Sequence, residues 1–107
     1  MVNALPEAGP TGRGGRCAHL TAEVALALAR TRLPARWTFA AIATDGVDGM
    51  AGGGAWAGSE SVPPEGALAE SIAAFDTASL WGQAGTLLPR RPTGNNLRDL
   101  WVLVVMP

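Results

Sequence analysis

Two apolar runs, the first nearly and the second wholly apolar, constrain the fold of this 107-residue chain more than any other feature. One extends from Trp37 to Ala43 and the other from Leu100 to Val105, and both are rich in aromatic and β-branched residues. Apolar runs without polar alternation are typical of strands that are buried on both faces. We therefore predict a central strand at the first run and a second buried strand, away from a solvated edge, at the last.

The segments around these strands carry helical spacing and turn signals. We predict helices over residues 16–30, after Pro64, and between Asp76 and Gly85. The order helix, strand, helices, strand predicts a small three-layer α/β domain with a parallel or mixed sheet between helices. Two strands make a thin sheet, so residues 2–5 or 86–88, another chain or another domain must add to it. The oligomeric state, monomer or homodimer, stays open.

Composition excludes several classes of function. With 8 basic and 9 acidic residues and a net charge of -1, the chain lacks the positive field that binding to nucleic acid or an anionic membrane requires. All basic residues are arginine, so a phosphate-loop lysine and Schiff-base chemistry are excluded. One cysteine, no signal-peptide pattern and no membrane-spanning run favour a cytoplasmic protein.

Two carboxylates follow the first predicted strand, in the segment Asp45-Gly46-Val47-Asp48-Gly49. In open α/β sheets, ligands lie beyond the carboxyl ends of strands, and glycines there let a ligand approach closely. Asp45 and Asp48 are therefore candidates for holding Mg²⁺ or orienting a sugar-acid hydroxyl. Asp-Gly pairs are also ordinary turn formers, so a purely structural role stays open.

A glycine-rich loop over residues 9–15 leads into the first predicted helix. The unpaired amides at a helix N-terminus favour an anion, and Arg13 and Arg16 add positive charge. A phosphate or carboxylate is one interpretation, and an ordinary connecting loop is the other.

Other conspicuous residues are explained by packing or solvation. Cys17 and His19 are two positions apart on a helix and lack further ligands nearby, so we predict no metal site. Arg90 and Arg91 form a solvated turn in this interpretation. We assign four tryptophans to packing: Trp37, Trp56, Trp81 and Trp101.

Three segments together point to a family: Gly12-Arg13-Gly14-Gly15-Arg16, then Ala43-Thr44-Asp45-Gly46-Val47-Asp48-Gly49, then Pro92-Thr93-Gly94-Asn95-Asn96-Leu97-Arg98-Asp99-Leu100. They resemble the MOFRL domain, the C-terminal domain of glycerate 2-kinases, many of which are labelled hydroxypyruvate reductases. The family patterns are GRGGRNQE, GTDGIDG and PTGTNVNDL. The resemblance covers residues 12–105, so we interpret the chain as a single MOFRL-like domain whose residues 1–11 are divergent or truncated and whose large N-terminal kinase domain is absent.

The sequence also departs from those patterns. Cys17-Ala18-His19 replaces Asn-Gln-Glu, residues 51–54 replace a polar segment, and Arg98 replaces the second asparagine of the last pattern. The family's opening Gly-Gly-Glu-Thr strand has no counterpart in residues 1–9. Several polar positions of the family's site are therefore changed.

The resemblance implies which residues belong to a site. Arg16 and Asp45 are expected at catalytic positions, and neither they nor their neighbours are expected to bind a metal in this chain alone. ATP and Mg²⁺ are implied for the complete enzyme. Positions expected to contact substrate or nucleotide are Gly14, Gly15, Gly46, Asp48, Gly49, Thr93, Gly94, Asn96 and Asp99.

Three functions follow from the resemblance. The leading one is a domain of a glycerate 2-kinase-like enzyme that phosphorylates D-glycerate with ATP in a cleft shared with an N-terminal domain, present in cis or in trans. The alternative is a degenerate stand-alone module without catalysis that acts in binding or assembly. Hydride transfer to hydroxypyruvate ranks last because a complete dinucleotide-binding glycine pattern is missing.

Overall fold

The computed structural model describes residues 15–48, 52–94 and 99–107. In chain order its elements are α1 (Arg16–Thr31), β1 (Arg36–Ile42), β2 (Gly54–Gly58), α2 (Glu65–Ala73), α3 (Thr77–Ala84), β3 (Leu87–Leu88) and β4 (Leu100–Met106). They form one sheet in the order β3-β2-β1-β4. The predicted class, a small α/β domain, is confirmed, and within it every strand pair of the described residues is antiparallel rather than parallel.

The antiparallel pairing arises because β1 returns through a hairpin. Ile42 pairs with Gly54, and an isolated bridge between Asp48 and Gly52 continues the ladder into the connecting loop. Gly54 has φ +129°, and a side chain there would collide with the carbonyl oxygen of Ala41. β2 was not predicted, because a strand made of glycine, alanine and one tryptophan has the composition of a loop.

The core lies between α1 and the two inner strands. Residues of α1 that face the sheet are small, and β2 meets them with Ala55 and Ala57, so helix and sheet approach closely. α2 and α3 contact α1 and each other, and α3 also contacts β2 and β3. All three helices therefore lie on one face of the sheet within the part of the chain that is described. The buried residues of α1 are Cys17, Ala18, His19, Thr21, Ala22 and Ala25.

The prediction that β1 is covered on both faces is wrong. Trp37, Phe39 and Ala41 are buried toward the helices, whereas Arg36 and Thr38 are exposed on the other face. The strand is central in the sheet, as predicted. One face of β1 carries no helix in the described residues, so burial alternates along the strand.

The prediction that β4 is buried is also wrong. All seven of its residues are 41–52% exposed, because β4 pairs with β1 at the margin of the sheet while α1 lies over β1 and β2. Trp101 is exposed for the same reason, and Trp56 points away from the helices. The packing role predicted for the tryptophans therefore holds for Trp37 and Trp81 alone.

The helix boundaries agree closely with the sequence. α1 ends one residue beyond its predicted limit, with Arg32 in the left-handed region at φ 55°. α3 begins after Asp76, whose Oδ1 accepts a hydrogen bond from Ser79 Oγ at 3.0 Å rather than from a backbone amide, and it ends at Gly85. Predicted strand 86–88 is confirmed as β3, whereas residues 2–5 lie outside the described residues. No helix in the described ranges is long and apolar enough to cross a membrane.

Candidate functional site

The loop after β1 is joined to the start of α1 by Asp48. Its Oδ1 accepts the amide of Cys17 at 2.9 Å, and its Oδ2 accepts the amide of Ala18 at 2.8 Å. The first amides of a helix have no partner within the helix, and the helix dipole favours negative charge beside them. Asp48 therefore caps α1 from a distant part of the chain.

This cap explains the glycine that precedes the helix. Gly15 occupies the N-cap position with φ -86°, a backbone conformation open to any residue, and offers no side-chain hydrogen bond. A side chain there would collide with the Asp48 carboxylate. Gly15 thus makes room for a cap that it does not supply itself.

Burial and hydrogen bonding act in opposite directions on the Asp48 carboxyl group. Asp48 is 6% exposed, and loss of water around it raises its pKa. The amides of Cys17 and Ala18 stabilise the charged form and partly oppose that rise. Burial likewise raises the pKa of the Cys17 thiol, with the Asp48 charge as a second cause, and this favours the protonated thiol.

A second link joins α1 to the start of β4. Arg16 donates from Nε to Asp99 Oδ2 and from Nη2 to Asp99 Oδ1, each at 3.2 Å. This is a bidentate pair, and the hydrogen bond to Asp99 raises the pKa of Arg16 further. Asp99 directly precedes Leu100, which pairs with Ile42 at the end of β1. The pair therefore lies at the same end of the sheet as the Asp48 loop.

The third segment packs against that loop by hydrogen bonds. Thr93 donates from its amide to the Asp45 carbonyl at 3.0 Å and from Oγ1 to the Thr44 carbonyl at 2.8 Å. Arg91 donates its amide to the Gly46 carbonyl at 2.9 Å. Gly46 has φ +82°, and a side chain there would collide with the Arg91 carbonyl, so both conformation and space require glycine.

Asp45 and Asp48 have different environments although they are three residues apart. Asp45 is exposed, and its Oδ1 accepts the amide of Val47 at 3.0 Å, an arrangement that shapes the turn locally. Asp48 is buried and directed at α1. Asp45 thus presents its carboxylate to solvent, whereas Asp48 binds the loop to the N-terminus of α1.

The comparison with protein families agrees with this arrangement. The model of the MOFRL family matches residues 3–99. This chain belongs to the MOFRL family. The matched span contains the first two of the segments that converge here and the third as far as Asp99, and it also includes most of residues 1–11.

A solved structure is similar to this MOFRL domain over most of its length. The crystal structure of glycerate kinase from Thermotoga maritima matches with a TM-score of 0.75 and 25% sequence identity, covering 89% of this chain and 23% of that one. The MOFRL domain therefore spans about a quarter of the length of that kinase. No curated protein matches this chain.

Most of the residues implied by the family resemblance meet at one end of the sheet. Those that the structure places there are Gly15, Arg16, Asp45, Gly46, Asp48, Thr93, Gly94 and Asp99. Gly14, Gly49 and Asn96 lie outside the described residues. The described residues include no cluster of histidine, cysteine and carboxylate side chains that could hold a metal ion.

Of the glycine-rich loop that is predicted either as an anion site or as an ordinary connection, only Gly15 belongs to the described residues, and residues 9–14, with Arg13, lie outside them. The amides of Cys17 and Ala18 are engaged by Asp48, so the chain's own carboxylate fills the position in which a phosphate would bind. At this end of the MOFRL domain, the exposed groups of the described residues include the Asp45 carboxylate, the Arg16 side chain and residues 91–94.

Supporting contacts of α1 were not visible in the sequence. Trp81 donates from Nε1 to the Ala18 carbonyl at 2.9 Å, and Thr21 donates from Oγ1 to the Cys17 carbonyl at 2.9 Å and to the Ala55 carbonyl at 3.2 Å. His19 is buried and stacks on Phe75 with ring centroids 5.2 Å apart. These contacts depend on long-range packing, for which no local sequence signal exists.

Proposed function

We propose that this MOFRL domain forms one wall of the active site of a glycerate 2-kinase-like enzyme. In the complete enzyme, a larger N-terminal domain in cis or in trans would close over this wall, and a phosphoryl group would pass from ATP to a hydroxyl of D-glycerate. The similarity to the glycerate kinase of Thermotoga maritima supports this assignment. The observation that carries it is the convergence of three separate chain segments on an exposed carboxylate and an exposed guanidinium at one end of the sheet.

Asp45 has the character of a group that orients a hydroxyl. Its carboxylate is exposed, and the turn that holds it is fixed by the Val47 amide and by the hydrogen bonds from Thr93 to the loop. A carboxylate in such a position accepts the proton of an attacking hydroxyl and aligns it for phosphoryl transfer. We assign this role to Asp45.

Arg16 has the character of a clamp for a negatively charged group. Asp99 holds Nε and Nη2, while the side chain as a whole is 60% exposed, so its outer edge faces solvent. Guanidinium groups bind carboxylates and phosphates through paired hydrogen bonds. We assign Arg16 to the carboxylate of D-glycerate or to the phosphate in transfer.

The described residues do not fit ATP and Mg²⁺ by themselves. The first amides of α1 are engaged by Asp48, the chain has no lysine, and the acidic residues of the described part form no metal-binding group. In this proposal the N-terminal domain holds the nucleotide and the metal. The MOFRL domain contributes to the binding of glycerate.

An assay with separated domains tests the proposal. The 107-residue chain is mixed with the N-terminal domain of a glycerate kinase, and ADP release is followed with D-glycerate and ATP. We expect no turnover from the chain alone, turnover from the mixture, and loss of that turnover in Asp45→Asn. Glu70→Gln, on the exposed surface of α2, is the matched control and should retain it. Turnover by the purified chain alone, or full activity of Asp45→Asn, would contradict the proposal.

A second candidate is a MOFRL module without catalysis that acts in binding or assembly. Two observations favour it: Cys17 and His19, which stand where the family pattern has polar residues, are buried, and β4 exposes seven apolar residues. This candidate predicts that the mixture of domains forms a complex without turnover. The same assay, combined with a pull-down of the two domains, separates the two functions.

A further inference from the structure

Thr93 donates two hydrogen bonds to the loop that carries Asp45, and both end on backbone carbonyls beside that residue. Its Oγ1 donates to the Thr44 carbonyl at 2.8 Å, and its amide donates to the Asp45 carbonyl at 3.0 Å. The first carbonyl belongs to the peptide group before the Cα atom of Asp45, and the second belongs to the peptide group after it. One residue therefore holds both peptide groups that flank Asp45.

Holding both peptide groups fixes the direction of the Asp45 side chain. Peptide groups are planar, so the backbone at Asp45 has two free dihedral angles, which describe how its two flanking peptide groups are turned. With these angles fixed, the Cα–Cβ bond of Asp45 has one direction. The Val47 amide, which donates to Asp45 Oδ1 at 3.0 Å, then orients the carboxylate at the end of that bond. The position of this exposed carboxylate thus depends on Thr93.

The segment that carries Thr93 is anchored by further backbone hydrogen bonds. Arg91 donates its amide to the Gly46 carbonyl at 2.9 Å, and Gly53 donates its amide to the Leu88 carbonyl of β3 at 2.9 Å. Neither bond involves the threonine hydroxyl. Loss of that hydroxyl should therefore loosen the backbone before the exposed carboxylate without detaching the segment from the loop.

The hydroxyl of Thr93 is poorly suited to binding an anionic group of a substrate. A threonine hydroxyl has one proton to donate, and that of Thr93 is donated to the Thr44 carbonyl. An ionised carboxylate offers acceptors alone, so it would have to displace this bond in order to bind. The family resemblance implies a substrate contact at position 93, whereas the geometry favours a contact with the chain itself.

We propose that Thr93 is a positioning residue that acts on the reaction through Asp45 rather than through the substrate, and this role rests on the proposed function of Asp45. Catalytic groups must be held close to their productive geometry, and a displacement of about 1 Å can cost about 100-fold in rate. Removal of the Thr93 hydroxyl should therefore slow phosphoryl transfer and leave the binding of D-glycerate unchanged.

Amide hydrogen exchange of the 107-residue chain, followed by NMR spectroscopy, tests whether Thr93 orients Asp45. The amide of Val47 is the reporter, because it donates to Asp45 Oδ1. In Thr93→Val we expect this amide to exchange at least about threefold faster than in the wild type, toward its rate in Asp45→Ala. Thr93→Ser should retain the wild-type rate. Thr31→Val is the matched control, since the exposed Thr31 also donates from Oγ1 to a backbone carbonyl, that of Ala27, at 2.8 Å.

Kinetics of the reconstituted enzyme test the consequence for the reaction. The chain is mixed with the N-terminal domain of a glycerate kinase, and turnover is measured over a range of D-glycerate concentrations. We expect Thr93→Val to lower kcat by at least about tenfold and to leave KM for D-glycerate within about twofold of the wild type. Thr93→Ser and Thr31→Val should retain both constants.

Three outcomes would overturn the proposal. An unchanged exchange rate at Val47 in Thr93→Val would show that the hydroxyl does not hold Asp45. A raised KM with unchanged kcat would make Thr93 a substrate contact, and faster exchange with unchanged kinetics would remove its role in the reaction. Absence of turnover in the wild-type mixture would instead contradict the proposed function, and the exchange rates would still decide whether Thr93 orients Asp45.

Discussion

Asp48 caps the helix that begins at Arg16 from a position 31 residues away, with its Oδ1 accepting the amide of Cys17 at 2.9 Å. Caps are usually supplied by the residue that immediately precedes a helix. Here that residue is Gly15, and its lack of a side chain is what admits the Asp48 carboxylate. The glycine-rich segment that ends at Gly15 and the loop that carries Asp48 therefore depend on each other. A side chain at position 15, or the loss of the carboxylate at position 48, would disturb the junction between that loop and α1.

The first prediction separates Asp48 from Asp45 by stability. Asp48→Ala leaves two buried amides of α1 without a partner, and we expect the free energy of unfolding to fall by about 1–3 kcal/mol. Asp45→Ala removes one exposed hydrogen bond, which Asp45 accepts from the amide of Val47. It should change the free energy of unfolding by less than about 0.5 kcal/mol. Urea unfolding of both variants measures the difference. The opposite order would make Asp45 the structural residue.

The second prediction concerns Gly46 and has a matched control in Gly85. Both residues have φ near +80°, but a side chain at Gly46 would collide with the Arg91 carbonyl, whereas one at Gly85 meets nothing within 4 Å. Gly85→Ala should cost about 1 kcal/mol for its left-handed backbone alone. Gly46→Ala should cost at least about 1 kcal/mol more, because the loop must also separate from residues 91–93. If urea unfolding shows the same decrease in unfolding free energy for Gly46→Ala and Gly85→Ala, the contact between Gly46 and Arg91 contributes little to stability.

These two predictions illustrate what the sequence can and cannot reveal. Helical spacing located α1 to within one residue, and the apolar run located β1, because both signals are local. β2 was missed, since its alanines and glycines carry no strand signal until α1 packs on them. The cap between Asp48 and Cys17 was also invisible, because it depends on the hairpin that brings the loop to the helix.

The error at β4 has a different origin. A run such as Leu100–Met106 is equally apolar whether helices of its own chain or another molecule cover it. Local hydrophobicity therefore predicts that a strand is buried somewhere, but it does not identify what buries it. The functional roles of the site residues stay a prediction, for which the ends of strands and the family patterns both indicate residues 44–48.

The third prediction is a pH dependence of stability that originates at His19. Burial lowers the pKa of His19 below its ordinary value of 6.5. The Glu23 carboxylate, whose Oε2 lies 3.8 Å from His19 Nε2, opposes this decrease only in part. The unfolded chain therefore binds a proton at His19 at a higher pH than the folded chain does. The free energy of unfolding should therefore be independent of His19 titration above pH 6.5. Below that pH it should fall, by at most about 1.4 kcal/mol per pH unit from this one group.

His19→Phe isolates the histidine's contribution. Phenylalanine retains an aromatic ring against Phe75 but cannot take up a proton. The difference in unfolding free energy between pH 7.5 and pH 5.5 should be smaller in this variant than in the wild type. Glu23→Gln should have the opposite effect, since it removes the charge that favours protonated His19. If the free energy of unfolding of the wild type does not change over this pH range, the folded chain protonates His19 as readily as the unfolded chain does, and the prediction is wrong.

The last prediction concerns Arg16 and distinguishes a functional role from a structural one. The Arg16 side chain is 60% exposed, so its pair with Asp99 is screened by water and should contribute less than about 1 kcal/mol to stability. Arg16→Lys keeps the positive charge but loses the paired geometry on both sides of the guanidinium. In the reconstituted enzyme, we expect this variant to unfold like the wild type and to lose at least tenfold in kcat/KM for D-glycerate. Arg30→Lys is the matched control, because Arg30 also lies on α1, its side chain is 61% exposed, and it pairs with Glu65 of α2. This variant should retain full activity. If Arg16→Lys and Arg30→Lys behave alike in both assays, Arg16 is an ordinary surface arginine and the wall of the active site must be sought in the Asp45 loop alone.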